Sequence, residues 1–78
     1  MQTTITTDTK LTQTQAEILI TLAHYNLNVA ATARKLFMHR NTVDYHVRMI
    51  LRNTGKNPLV FYDLVDLLAD AKQVLGGE

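Results

Sequence analysis

Twice between residues 29 and 51 the apolar side chains recur at the spacing of a helix, and only the six residues "FMHRNT" separate the two runs. Val29, Ala33 and Leu36 make the first run, and Val43, Val47, Ile50 and Leu51 make the second. Steps of three and four gather residues on one side of a helix. With the second helix beginning between His39 and Thr42, "FMHR" holds no more than a turn, so the chain has to set two short helices side by side at an angle. Asn28 is placed to cap the first helix, and Gly55 to end the second, because glycine turns left-handed without steric cost.

Two further helices frame this pair. One follows Thr12 or Thr14 as N-cap and carries Ala16, Leu19, Leu22 and Ala23 at helical spacing. The other begins after Pro58, has Asp63 and Asp66 near its start, and stops at "GGE". The reading is an all-α fold, a small four-helix domain with helices at about 14–26, 28–36, 40–54 and 59–75. No segment alternates like a strand. Residues 1–11, rich in Thr and poor in apolar side chains, are read as a flexible tail, and 12–78 as the domain.

With 78 residues and no cysteine, packing alone must stabilise one small core, and contact between subunits can supplement it. No apolar run approaches the ~20 residues that span a bilayer, and the N-terminus lacks the basic and apolar parts of a signal peptide, so no membrane contact and a cytoplasmic setting are expected.

The net charge of +1 conceals a polarity. From Arg34 to Lys56 the chain holds Arg34, Lys35, Arg40, Arg48, Arg52 and Lys56 against Asp44, a local charge of +5; the remainder carries −4. A basic second helix after a tight turn is the geometry of a DNA-binding helix-turn-helix. At about 100° per residue, Asn41, Tyr45, Arg48, Met49 and Arg52 lie opposite the apolar face, with His39, Arg40 and Thr42 at the N-terminal tip. That tip enters a major groove most deeply.

The donor and acceptor chemistry assigns roles. Arg40 suits a fork onto guanine, and Thr42 a phosphate or a thymine methyl. Asn41 suits adenine or, equally, a helix cap; with Asp44 three residues on it has the pattern of a carboxylate capping box. Tyr45 offers a ring to a base or sugar. Arg48, Arg52, Arg34 and Lys35 suit phosphates, which add affinity and salt dependence but little sequence information.

The stretch "NVAATARKLFMHRNTVDYHVRMILRNTG", with "NPLVFYDLVDLL" after it, resembles the C-terminal helix-turn-helix of PucR/CdaR-type bacterial transcriptional regulators, a Fis-like domain. The likeness runs from about Leu19 to Leu68 and is most specific at "LFMHRNTV" and Gly55. It implies double-stranded DNA as partner, with Arg40, Asn41 and Thr42 carried over and His39 and Tyr45 also matching. Family members usually place the domain at the end of a longer sensor protein, whereas a stand-alone chain is expected here, and no small-molecule effector is implied. Asp44 and His46 stand where the family often has basic residues.

Other readings weigh less. His24, His39 and His46 lack the i, i+4 spacing of a metal pair, so neither metal nor cofactor is expected. No nucleophile, base and orienting acid cluster, so catalysis is not expected. Phe37 stands where many such turns have Gly, so the turn either avoids the left-handed region or accepts a cost of about 1 kcal/mol. The last helix carries two apolar stripes: Phe61, Val65, Leu68 and Leu75, and beside it Val60, Leu64, Leu67, Ala71 and Val74. The second is assigned to a homodimer that sets two recognition helices about 34 Å apart on a palindromic site, the alternative being one broad face buried on the domain's own small core. A protein-interaction adaptor or a DNA-architectural accessory role are the alternatives.

Overall fold

The structure is a computed structural model that describes residues 11–76. It contains α1 (Gln13–His24), α2 (Val29–Lys35), α3 (Arg40–Thr54) and α4 (Phe61–Gly76), with no strand among the described residues. The expected all-α, four-helix architecture is the observed one. None of these helices is long and apolar enough to cross a membrane.

Thr12 caps α1 through a reciprocal pair of bonds. Its hydroxyl accepts the Gln15 N–H at 3.1 Å, and the Gln15 Oε1 accepts the Thr12 N–H at 3.3 Å. Such a box satisfies two of the unpaired amides at a helix start. Leu11, immediately before it, is buried, so the tail expected over residues 1–11 does not extend to Leu11. The reading of residues 1–10 as flexible lies outside the described residues.

Helix α1 ends at His24, two residues earlier than expected, because Asn26 turns left-handed at φ 57° and Leu27 follows at φ 67°. The Leu27 N–H then donates to the Leu22 carbonyl at 2.7 Å, closing the helix end. Asn28 caps α2 as expected, its Oδ1 accepting the Ala31 N–H at 2.9 Å. Gly55 closes α3 at φ 78°. Before α4, the buried Pro58 sits in a turn held by Asn57, whose Oδ1 accepts the Leu59 N–H and whose carbonyl accepts the Val60 N–H. That turn consumes Leu59 and Val60, so α4 starts at Phe61 rather than at 59.

The interior has two parts that share α1. Ile18 and Leu22 of α1 pack with Val29 and Ala33 of α2 and with Val43 and Val47 of α3. Ala16 and Leu19, together with Leu11, pack with Leu64, Leu67 and Ala71 of α4 and with Ile50 of α3. Full burial of a Leu, Ile or Val side chain contributes roughly 1.5–3 kcal/mol, so α1 anchors both halves. Ala23, placed by its spacing with the apolar side of α1, is exposed.

Two expectations about apolar faces need correction. Leu51 is 41% exposed instead of joining Val43, Val47 and Ile50, because it lies about 100° round the helix from the buried Ile50. On α4 the stripe assigned to dimerisation is the one the chain buries itself. Leu64 (2% exposed), Leu67 and Ala71 pack with α1, and Val74 packs partly against them, leaving only Val60 of that set exposed. Ala16 and Ala71 belong to the same cluster, and two small residues let the helices approach closely. The other stripe is turned more to solvent, with Phe61 60% and Val65 47% exposed. Both line a groove of about 210 Å³ between the end of α1 and the start of α4.

Candidate nucleic-acid interface

The turn between α2 and α3 is a Schellman closure. The Phe37 N–H donates to the Arg34 carbonyl at 3.2 Å, and the Met38 N–H reaches the Ala33 carbonyl at 2.9 Å. This closure requires a left-handed residue between the helix and Met38, a position usually taken by glycine. Phe37 occupies it at φ 57°, so of the two possibilities read from the sequence the turn takes the strained one, at a cost of roughly 1–2 kcal/mol. Met38, the next residue, packs against the inner cluster formed by α1, α2 and α3.

Helix α3 begins at Arg40, with His39 as N-cap. The His39 side chain makes no capping bond, and Asn41 is already the second helical residue. The capping reading of Asn41, and the Asn41–Asp44 box with it, therefore fails: a residue with helical backbone cannot be the cap. Asn41 is exposed and free for another partner.

From this start the side chains sort by angle. Val43, Val47 and Ile50 point into the protein, while Asn41, Tyr45, Arg48 and Arg52, stepping by four, three and four, are all exposed on the opposite side. His39, Arg40 and Thr42 are exposed at the tip, and Arg34 and Lys35 at the adjoining end of α2. Every residue singled out for DNA contact is thus at the surface. Met49 is half-buried at the edge of the face. Lys56 is engaged elsewhere, its Nζ lying 3.2 Å from Asp66 Oδ2, so the loop charge is neutralised within the chain.

His46 has a role that the sequence did not reveal. Gln15 Nε2 and its Nδ1 lie 3.3 Å apart, within hydrogen-bond distance. Gln15 is buried and also completes the α1 cap, so one amide ties the start of α1 to the middle of α3. The signal was present in "TQTQ", where Thr12 and Gln15 have the spacing of a capping box. What spacing could not show was the second end of the amide, 31 positions away.

A short helix closed by a Schellman turn and followed by an amphipathic helix with a basic, polar outer side has the geometry of a helix-turn-helix. The profile of the PucR C-terminal helix-turn-helix domain matches residues 15–72. The chain belongs to this family. No curated protein and no solved structure matches it. The matched range starts at Gln15 and ends one residue beyond Ala71, so the PucR-type domain takes in both parts of the interior, including the seam between α1 and α4.

Within this PucR-type domain, the two departures noted in the sequence acquire different weights. His46 is half-buried and bonded to Gln15, so it serves the packing of α3 on α1 rather than the outer face. Asp44 is also half-buried, placed between the inner and outer sides, and adds one negative charge beside an exposed cationic stripe.

Proposed function

We propose that this PucR-type domain binds double-stranded DNA sequence-specifically, without enzymatic activity, and acts as a small transcriptional regulator by occupying its site. The observation that carries the reading is the stripe of Asn41, Tyr45, Arg48 and Arg52, all exposed on the outer side of α3, with Arg40 exposed at the helix tip. Arg40 and Asn41 supply the bidentate donors that distinguish guanine and adenine in a major groove. Arg48, Arg52, Arg34 and Lys35 supply phosphate contacts, and Tyr45 a ring for a sugar or base.

The test is selection of bound fragments from random duplex DNA, followed by gel-shift titration of the selected site at low and moderate salt. Tight binding to a recurrent motif supports the reading. Failure to retain any duplex at low salt would instead favour an adaptor that docks on another protein.

A homodimer fits the same reading. The exposed Phe61 and Val65 of α4 are an apolar surface that a second copy can cover, in place of the buried Leu64, Leu67 and Ala71. Sedimentation velocity at micromolar concentration should give a dimer that Val65→Lys converts to monomer. A wild-type monomer, both free and on DNA, removes this part of the proposal.

A further inference from the structure

Phe37 is the most exposed large apolar residue among those described, at 96%, and it stands in the left-handed region at φ 57°. Both facts count against it as a structural choice. The ring buries almost no area that would stabilise the core, and the backbone position favours glycine over any residue with a Cβ. The turn itself is held by main-chain bonds from Phe37 and Met38, and the apolar anchor is Met38, so the fold makes no use of the ring.

Its surroundings are cationic. Arg34 and Lys35 precede it and Arg40 follows, all exposed. Phe37 is three residues from the start of α3, so its Cα lies within about 11 Å of that of Arg40. An aromatic side chain projecting from a rigid turn among positive charges suits a surface that is anionic overall and locally apolar. A DNA duplex has that character, with thymine methyls in the major groove and deoxyribose edges between the phosphates.

We infer that Phe37 is a DNA-contact residue, its ring packing against a thymine methyl or the adjoining deoxyribose as the tip of α3 enters the groove. This rests on the DNA-binding reading above and adds to it a contact that donor and acceptor matching does not find. Such a contact releases no counterions, so it changes affinity without changing the response to salt.

Phe37→Gly separates the contact from the fold, because glycine relieves the left-handed strain while removing the ring. Its melting temperature should equal or exceed that of the parent, its affinity for the selected site should fall about tenfold, and its salt slope should be unchanged. Phe37→Trp gives the chain a single indole, since it has no tryptophan of its own, and its fluorescence should change when the site is bound. Replacing each thymine of the site by deoxyuridine tells the sources apart: a loss seen in the parent and absent in Phe37→Gly marks a methyl, and equal losses mark the sugar. Unchanged affinity of Phe37→Gly overturns the inference while leaving DNA binding intact, as does an affinity loss with no fluorescence change in Phe37→Trp. If Phe37→Gly alters sedimentation of the free protein and not its affinity, the ring belongs to a protein contact. If the parent itself retains no duplex at low salt, the DNA-binding reading fails and this contact with it.

Discussion

The hydroxyl of Thr32 is fully buried in α2 and has no hydrogen-bond partner among the described residues. An unpaired hydroxyl in an apolar setting costs roughly 1–3 kcal/mol. Thr32→Val keeps the branched shape and removes the polar atom, so it should stabilise the domain by about 1 kcal/mol in urea unfolding; a loss of stability would mean that the hydroxyl is satisfied in solution. Arg40 belongs to the other class of residue, exposed and unused by the fold. Arg40→Ala should cost about 1–3 kcal/mol on the selected site and relax selectivity at one base pair, while leaving the melting temperature unchanged. Single residues are more legible in their chemistry than in their place along the helix. Tyr45 is exposed as expected because the period of α3 turns it outward, and Arg40 because it stands at the tip. Asn41 is where spacing misleads: "NTVD" has the pattern of a capping box, but the Schellman turn ending at Met38 makes His39 the cap, and the helix is already under way at Asn41.

Among the elements, α3 is the most legible, because a basic stripe and an apolar stripe on opposite sides leave one way to face it. Its end is equally plain. Gly55 sits at φ 78°, and an added Cβ would meet nothing within 4 Å, so strain alone opposes substitution. Gly55→Ala should destabilise the domain by about 1 kcal/mol in thermal melts, and Gly55→Asn by less, since asparagine tolerates the left-handed region. Helix α4 is harder to orient. Its two apolar stripes are similar in size, and nothing within the helix says which is inner. The decision comes from α1, where Ala16 joins the cluster containing Ala71, and that is a property of a pair of helices. The extra turn at Asn57 is hidden for a similar reason: Asp63 Oδ2 accepts the Asn57 N–H at 3.0 Å, a bond across six positions.

For the whole molecule, the separation of charge seen along the chain becomes a separation between helices. Helix α4, with Asp63, Asp66 and Asp70, packs on α1, and its core cluster includes Ile50 on the inner face of α3, opposite the exposed cations. Arg48→Ala and Arg52→Ala should therefore weaken binding to all sequences alike, each lowering the salt slope by about one phosphate contact; an unchanged slope would exclude them from the backbone track. The placement of α1 has one more consequence. Neither the helix-turn-helix pair nor the acidic helix encloses an interior without it, since each supplies only one wall and leans on the same central rod. Loosening that rod opens both halves of the interior at once, so the helix-turn-helix pair and its support have to be made, and lost, together.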